Sequence, residues 1–306
     1  MKGVVLFSGL GNQMFQYAFY RGLATKYNDV FVITNQTFGK NQHNGEEVCK
    51  IFNLNPPQNK WFYTRNIACR IWRKILLKLG FLRIYDYNDN FNNINNVPFE
   101  VYIGYFMDLK YFDFVRDELI KEFVPREKLD SKNQLLLSKI KSHPSLGIHI
   151  RRGDFLSFQG GIALGLEYYK RALKHIKSKV NTQLNIFIFS DDLDFIKNNF
   201  IALLKDVWGG GSQDSIEIST TYLTDSTNNI SNKIQIHIID FNRGASSYKD
   251  LVLMQNTHYL ITANSSFSWW AAYLNTRAKI IIIPENYLGK IGKNIDAFVP
   301  KKWIRV

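Results

Sequence analysis

The sequence has no run of 18 apolar residues, few cysteines and few acidic residues. Without a long apolar run, no membrane-spanning helix is expected, and Cys49 and Cys69 alone predict no disulfide framework. The chain carries 26 aspartates and glutamates against 39 lysines and arginines, a formal net charge of +13. That imbalance favours anionic partners, whether nucleic acid, anionic lipid or a phosphorylated ligand, but it says nothing about the fold.

The N-terminal segment MKGVVLFSGLGNQMF has a short apolar core but no small-residue cleavage site after it. The pattern predicts a strand, a turn and a helix rather than a signal peptide. We therefore expect a cytoplasmic protein.

The composition is globular, with 45% hydrophobic residues. A chain of 306 residues is long for a single core, which favours two domains. Strand-like and helix-like runs alternate, and the second half shows them clearly, with strands predicted at 146–150, 185–189, 234–239, 259–261 and 279–283. Short apolar strands with helical crossovers predict an α/β fold with parallel, doubly wound sheets. We expect two Rossmann-like domains facing a cleft, residues 1–135 and 136–306, with the linker between Val124 and Pro144.

Two regions depart from this alternation. The polar segment Ser212–Ser231 predicts a long surface loop. The basic segment 61–83 predicts an amphipathic helix, with Ile67, Ile71 and Ile75 at helical spacing. Such a helix either packs its apolar face on the core or lies on an anionic membrane, and both interpretations stay open.

The segment LGIHIRRGDF places two arginines at the end of a buried strand. Strand alternation puts His149 and Arg151 on one side, and Arg152 follows at the strand exit. Adjacent guanidinium groups there can grip a diphosphate, one fork for each phosphoryl group. The alternative is a pair of surface arginines in ion pairs, and Asp154 is the nearest carboxylate.

A second strand, 259–261, leads into Asn264, Ser265 and Ser266, which are all of helix N-cap type. The free N–H groups of the helix that follows would form an anion site at the same sheet edge. Ordinary capping of that helix is the alternative.

A third strand, 185–189, leads into Ser190, Asp191 and Asp192. A carboxylate there suits the N–H donors of a guanine base or a ribose hydroxyl. Either aspartate could equally cap the next helix. Asp192 and Asp194 also form a D-x-D pattern, by which many nucleotide-sugar enzymes hold a divalent metal.

The fourth segment, LFSGLGNQMFQYAF, predicts a strand, a glycine-bearing turn and a helix near the N-terminus. Gly9 and Gly11 allow close backbone approach, but the segment has neither G-x-G-x-x-G nor G-K-[ST]. Asn12 and Gln13 are neutral hydrogen-bonding residues that suit a hydroxyl-rich ligand.

Together SGLGNQMFQYAF, HIRRGDF, FSDD and DLVLMQNTHYLITANSSFSWWAAYL resemble glycosyltransferase family 11, the α-1,2-fucosyltransferases, and specifically its bacterial members. The resemblance runs from residue 8 to about residue 274. It implies a GT-B-type fold and transfer of L-fucose from GDP-fucose to the 2-hydroxyl of a terminal galactose. It further implies inversion at the anomeric carbon, no metal or other cofactor, and a surface polysaccharide or oligosaccharide as the acceptor.

The resemblance also implies roles for individual residues. Arg151 and Arg152 would bind the GDP phosphates, and His149 with Asp191 or Asp192 would bind the guanosine. The remaining donor-binding residues that it implies are Gly11, Asn12 and Gln13, facing the fucose, and Ser190, Asn264, Ser265, Ser266, Phe267 and Ser268. Two roles are open for Asp154, that of general base and that of a partner orienting the arginines.

One segment departs from the family. GYFMDLKYF carries Met107 where the family has a polar residue after G-Y-F or G-Y-W, so acceptor preference could differ.

Fucose transfer of this kind would place the enzyme at the inner face of the plasma membrane, with peripheral contact to anionic lipid. The oligomeric state is not predictable from the sequence.

Two alternatives remain at this point. A metal-dependent nucleotide-sugar transferase would use Asp192 and Asp194 and would lose activity in EDTA. A non-catalytic polyanion-binding protein would use the net charge, and its affinity would fall steeply with salt. No RRM-like or zinc-finger signature supports nucleic acid as the partner.

Overall fold

A computed structural model describes residues 1–34, 45–59, 67–86, 97–180, 182–208, 216–219, 234–287 and 295–306. The chain divides into two compact units, Met1–Lys128 and Leu129–Val306. The division lies within the predicted linker but before the predicted boundary at residue 135. That boundary would cut the helix Ser131–Ser142, whose buried Leu136 and Ile140 belong to the second unit.

The first unit is built on four parallel strands in the order β2-β1-β4-β3. They are Lys2–Leu6 (β1), Val30–Thr34 (β2), Leu82–Asp86 (β3) and Phe99–Ile103 (β4). Every residue of β1 is buried, as its apolar run predicts for a central strand. β3 was not predicted, because it begins inside the basic segment that we expected to be helical.

Four helices accompany this sheet: Leu10–Ala24 (α1), Val48–Ile51 (α2), Ile67–Lys78 (α3) and Arg116–Glu122 (α4). The basic helix is therefore shorter than the predicted segment 61–83, and residues 61–66 lie outside the described part of the chain. α1 is buried on most of its surface. Its Phe15 and Phe19 pack edge-on and face-to-face against Phe112 and Phe106.

The second unit contains a seven-stranded parallel sheet in the order β11-β10-β9-β5-β6-β8-β7. The strands are Ser145–Ile150 (β5), Asn185–Ser190 (β6), Ile216–Ser219 (β7), Ile234–Ile239 (β8), Tyr259–Ile261 (β9), Ile280–Ile283 (β10) and Ile304–Arg305 (β11). The five strands predicted in this half are all present. β7 lies inside the predicted loop 212–231, where it pairs with β8 at the sheet edge.

The helices of the second unit connect these strands. They are Ser131–Ser142 (α5), Leu166–Lys179 (α6), Leu193–Phe195 (α7), Ile201–Trp208 (α8), Tyr248–Met254 (α9) and Ser266–Tyr273 (α10), with a π-helical turn at Ile196–Phe200 between α7 and α8. The prediction of parallel sheets with helical crossovers is therefore confirmed for both units. None of the described helices combines the length and the apolar character needed to cross a membrane.

The strand order of the second sheet identifies where a ligand would bind. β5 is the first of these strands in the chain, with β6 on one side and β9 on the other. After β5 the chain forms β6, β7 and β8 on one side of this strand. It then returns and forms β9, β10 and β11 on the other side, so the direction reverses at β5. In such sheets ligands lie beyond the carboxyl ends of the strands at this reversal, here beside the ends of β5 and β9.

Candidate active site

Three of the four predicted segments meet at one edge of the second sheet. Arg151 and Arg152 follow β5, Ser190 ends β6, and Asn264 comes shortly after β9. Because these three strands are parallel neighbours, their carboxyl ends lie side by side. The structure therefore brings together segments that are spread over more than a hundred residues of sequence.

Arg152 is held from two sides. Its Nε lies 3.0 Å from Oδ2 of Asp192, and its guanidinium lies over the Phe195 ring at 3.8 Å from the centroid. Within the described part of the chain, its two terminal nitrogens make no hydrogen bond. The side chain is thus fixed in orientation while its outer fork stays available to an anion.

Arg151 is more fully engaged. Its Nη2 lies 2.7 Å from Oδ1 of Asp154, and its Nη1 lies 2.8 Å from Oδ2 of Asp191. The surface-ion-pair interpretation therefore applies to Arg151 in this structure. A phosphate would have to share or displace these carboxylates at Arg151, whereas it could approach Arg152 directly.

Asp191 fixes the turn that follows β5. Its Oδ1 accepts a hydrogen bond from the backbone N–H of Arg152 at 2.8 Å, while its Oδ2 contacts Arg151. A Cβ at Gly153 would lie 2.7 Å from Oδ2 of Asp191, so a side chain there would push this carboxylate out of its present position. The glycine in the R-R-G-D motif thus lets the carboxylate reach the arginines.

Asp192 is the N-cap of α7. Its Oδ1 accepts from the N–H of Phe195 at 2.9 Å, and its Oδ2 accepts from Arg152. The Oγ of Ser190 in turn accepts from the N–H of Asp192 at 3.0 Å. All four carboxylate oxygens of Asp191 and Asp192 therefore have a partner inside the protein, and the guanosine-binding role of either residue stays a prediction.

The D-x-D alternative meets the same constraint. Both carboxylate oxygens of Asp192 already have a partner, the N–H of Phe195 and the guanidinium of Arg152. Among the described residues, no group of three or more histidines, cysteines, aspartates and glutamates is arranged to hold a metal.

The loop after β9 forms a second polar surface beside the arginines. Ser265 is the N-cap of α10, and its Oγ accepts from the N–H of Phe267 at 3.3 Å. Ser268 is fully buried, and its Oγ closes the loop onto Ala263. Ser266 and Phe267 keep partial exposure at the first turn. The first N–H groups of a helix have no intrahelical acceptor and carry its positive dipole end, so this turn suits an anion.

Two buried polar atoms at this sheet edge have no hydrogen-bond partner among the described residues, Nδ1 of His149 and Oδ1 of Asn264. Asn264 uses its amide nitrogen on the carbonyl of Ile162, and the His149 ring lies 5.9 Å from that of Phe267. An unpaired buried polar atom is costly, and a ligand that satisfies it removes that cost.

His149 is neutral in the folded protein. Burial, reinforced by the nearby Arg151 guanidinium, lowers the pKa of His149 to about 3. The ring therefore offers a neutral donor or acceptor to a base or hydroxyl, and the positive charge of the site comes from the arginines.

Asp154 has one carboxylate oxygen on Arg151 and a side chain that is 51% exposed. The contact supports its orienting role. Its exposure leaves it accessible to an incoming hydroxyl, and the general-base role stays a prediction.

The fourth predicted segment lies in the first unit. Gly11 and Asn12 lie in the first turn of α1, and the Asn12 amide donates to Oγ of Ser8 at 3.0 Å. Gln13 is 1% exposed, and its amide makes four hydrogen bonds to backbone groups of residues 8, 45, 47 and 48. Gln13 thus ties the start of α2 to α1, and its predicted role at the sugar stays a prediction.

Two strained residues, one inside this segment and one after β4, were not predicted. Ser8 and Phe106 have positive φ angles of 69° and 49°, which are uncommon outside glycine. They follow the adjacent strands β1 and β4, and Gln16 links the two loops by accepting from the N–H of Phe7 and donating to the carbonyl of Gly104. Such strain clusters at functional loops. No sequence signal marks it at a serine or phenylalanine.

Met107 follows this strained position directly and is half-buried. The stacking of Phe106 on Phe19, at 3.9 Å between ring centroids, holds the turn that carries it. Its effect on acceptor preference stays a prediction.

Comparison with known proteins gives a family match over almost the whole chain. A profile described as Glycosyl transferase family 11 matches residues 3–224 and 225–306. The alpha-1,2-colitosyltransferase of Escherichia coli is 28% identical, over 98% of this chain and 97% of that protein. The galactoside alpha-(1,2)-fucosyltransferase 1 of Saimiri boliviensis boliviensis is 21% identical, over 74% of this chain and 57% of that protein.

One solved structure supports the fold assignment. The crystal structure of the NodZ alpha-1,6-fucosyltransferase, co-crystallized with GDP, has a TM-score of 0.51 and 13% sequence identity, covering 93% of this chain and 94% of that chain. The predicted GT-B-type fold, with two Rossmann-like α/β domains, is confirmed.

Proposed function

Because the chain belongs to glycosyltransferase family 11 and is a fucosyltransferase-type glycosyltransferase, we propose that it moves L-fucose from GDP-β-L-fucose to the 2-hydroxyl of a terminal galactose. The acceptor is a glycan, either a surface polysaccharide or an oligosaccharide. The transfer inverts the anomeric carbon and needs no metal. The observation that carries this proposal is the outer fork of Arg152, held rigidly at the strand reversal with no hydrogen bond in the described part of the chain.

The chemistry explains why such a fork is needed. The bond between the fucose anomeric carbon and the β-phosphate oxygen breaks, and its electron pair stays on GDP. The galactose oxygen attacks the opposite face of that carbon and loses its proton to a base or to water. Arg152 stabilises the negative charge growing on the β-phosphate, and preorganised donors of this kind act most strongly on charge that develops in the transition state.

The neighbouring groups divide the remaining work. The first turn of α10 contributes N–H groups to the diphosphate. His149 and Asn264 bind the nucleoside with the polar atoms that are otherwise unpartnered. Arg151 has a supporting electrostatic role, because Asp154 and Asp191 already neutralise much of its charge. Asp154 accepts the acceptor's proton with its exposed carboxylate. Gly11 and Asn12 contact the fucose.

A second donor is favoured by one of the relatives. The 28% identical relative is an alpha-1,2-colitosyltransferase, and colitose is L-fucose without its 3-hydroxyl. The diphosphate site would serve both donors equally. Discrimination between the two donors would depend on whether a polar side chain hydrogen-bonds the 3-hydroxyl of fucose. A site built to bind that hydroxyl strongly disfavours a sugar that lacks it.

The test supplies purified protein with GDP-fucose or GDP-colitose and with lactose or N-acetyllactosamine, in EDTA. GDP release and the linkage of the product are measured. We expect acceptor-dependent GDP release, a 2-linked deoxy sugar, and loss of both in Arg152→Ala. Arg171→Ala, which removes an exposed arginine from α6, is the matched control and should keep full activity.

Each other outcome has a definite meaning. Activity lost in EDTA and restored by a divalent metal would favour the D-x-D alternative. Turnover of GDP-colitose alone would reassign the donor while retaining the phosphate site. Binding that ignores GDP and collapses with salt would favour the polyanion-binding alternative.

A further inference from the structure

The outer face of α3 exposes large apolar side chains. Ile67, Ile71 and Ile75, which we term the isoleucine stripe, are 73%, 54% and 43% exposed. Their spacing of four residues places them in one row along the helix. Trp72 and Leu79 extend the apolar surface on one side of this row and are also exposed. Apolar patches of this kind on soluble proteins usually mark an interaction site.

The opposite face of α3 already packs on the core of the first unit. Cys69 is buried, and Leu76 packs against the apolar cluster that contains Val5 and Val101. The helix therefore does not need the isoleucine stripe in order to dock on its own unit. Within α3, packing on the core therefore accounts only for Cys69 and Leu76 among the apolar side chains.

The helix α6 shows what the ordinary arrangement looks like in the same protein. It is also basic and amphipathic, but its apolar residues Tyr169, Leu173 and Ile176 are fully buried. Its exposed positions, including Lys174 and Lys179, are polar. The exposure of the isoleucine stripe is thus a property of α3 and does not follow from a basic amphipathic sequence.

A row of basic residues runs beside the isoleucine stripe. Arg70, Lys74 and Lys78 each follow an isoleucine by three positions and are exposed. Residues three apart are neighbours on a helix surface, so the two rows lie side by side. The sequence contains no aspartate or glutamate between Glu47 and Asp86. Nothing along this stretch of sequence neutralises the basic row.

We propose that the isoleucine stripe and the basic row together dock α3 onto the surface of an anionic lipid membrane. The isoleucines would enter the boundary between headgroups and acyl chains, and the basic side chains would extend to the lipid phosphates. An anionic surface supplies both an apolar layer and negative charge at the depths that the two rows require. The proposal concerns the first unit and does not depend on the identity of the sugar donor.

A second copy of the chain is a poorer occupant of this surface. Pairing two isoleucine stripes would bring two basic rows together, and like charges placed opposite each other disfavour association. The formal net charge of +13 adds to this repulsion. Charge complementarity therefore favours lipid over self-association.

The test is sedimentation of the full chain with vesicles of phosphatidylglycerol and phosphatidylethanolamine, compared with phosphatidylcholine alone, at low and high salt. We expect binding to the anionic vesicles that weakens with salt and little binding to phosphatidylcholine. Ile71→Ser with Ile75→Ser should reduce vesicle binding roughly tenfold or more. Lys74→Glu with Lys78→Glu should reduce it at least as much, because each basic residue near an anionic surface contributes about fivefold.

Two controls match these variants. Lys174→Glu with Lys179→Glu makes the same change in net charge on α6, and Leu135→Ser removes an exposed apolar side chain from α5. Both should bind vesicles like the unaltered protein. Thermal unfolding of each variant checks that the chain is folded.

Three results would overturn the proposal. One is equal binding to neutral and anionic vesicles, or none to either. Another is an equal loss of binding in the α6 charge variant, which would mean that net charge alone acts. The last is a dimer in sedimentation analysis that Ile71→Ser with Ile75→Ser converts to a monomer, which would assign the stripe to a second copy.

Discussion

The orientation of Arg152 by Asp192 can be separated from the helix cap that Asp192 also provides. Asp192→Asn keeps an oxygen that can accept from the N–H of Phe195, and asparagine is as good an N-cap as aspartate. It removes the charge that holds Nε of Arg152 at 3.0 Å. This variant therefore loosens the guanidinium fork without unfolding the start of α7.

The expected magnitudes follow from these contacts. Loss of one preorganised donor costs about 10²–10³ in kcat, and Arg152→Ala removes both terminal nitrogens, so its loss should reach the upper part of that range. Arg152→Lys keeps the positive charge. A lysine ammonium cannot pair with Asp192 and at the same time offer two parallel N–H donors to a phosphate, so we expect an intermediate loss of kcat. Asp192→Asn should lower kcat roughly tenfold, because the Phe195 ring still supports the guanidinium.

The assay measures kcat and the donor KM from GDP release, with unfolding by urea as a parallel readout. For Asp192→Asn we expect kcat to fall while the donor KM stays constant or decreases, since the site loses a negative charge. The free energy of unfolding should change by less than about 0.5 kcal/mol. An unchanged kcat in both Asp192→Asn and Arg152→Lys would refute the reasoning, because it would mean that Arg152 acts as a point charge.

Three further predictions concern stability. Gly22→Ala should lower the free energy of unfolding by about 2 kcal/mol or more, because a Cβ there would lie 1.9 Å from the carbonyl oxygen of Tyr111; Gly165→Ala, with open space around it, is the control, and an equal effect of the two would contradict the reasoning. Gln13→Ala should cost roughly 2–4 kcal/mol in urea unfolding, because it leaves buried N–H groups at the start of α2 without an acceptor; a loss of activity at unchanged stability would instead return Gln13 to the sugar site. Burial raises the pKa of Asp250 from 3.8 to about 7, so the folded state holds this proton more tightly and stability falls as pH rises through that range. Asp250→Asn should raise the free energy of unfolding at pH 8 by about 1–2 kcal/mol, less than the full pKa shift implies because the residue keeps partial solvent contact. The variant should also show a flatter dependence of stability on pH. Identical pH profiles of the two proteins would exclude Asp250 as the cause.

The site residues of the second unit were identifiable because each follows a short apolar strand. Arg151, Ser190 and Asn264 come directly or shortly after runs that are too apolar to be anything but buried strands. In a parallel sheet, that position alone brings side chains to one edge. The gathering of these residues at one sheet edge could therefore be predicted before their contacts were known.

The partners of those residues were not predictable. Two arginines and three aspartates at one edge allow several pairings, and the sequence leaves open which carboxylate meets which guanidinium. The turn at Gly153 decides it, because it brings Asp191 onto the backbone of Arg152 and leaves Asp192 to the side chain. This geometry engages both terminal nitrogens of Arg151, whereas within the described part of the chain it leaves those of Arg152 without a hydrogen bond.

The sequence by itself determined the fold class, the buried strands and the types of residue at their ends, because apolar periodicity and local turn chemistry act over a few neighbouring residues. Tertiary structure decided the unit boundary, the internal use of Gln13 and the exposure of the isoleucine stripe. Each of these depends on how much apolar and hydrogen-bonding surface the distant parts of the chain leave unfilled. α3 and α6 are both basic and amphipathic in sequence. The apolar face of α6 is buried against the core, whereas the isoleucine stripe of α3 is exposed to solvent.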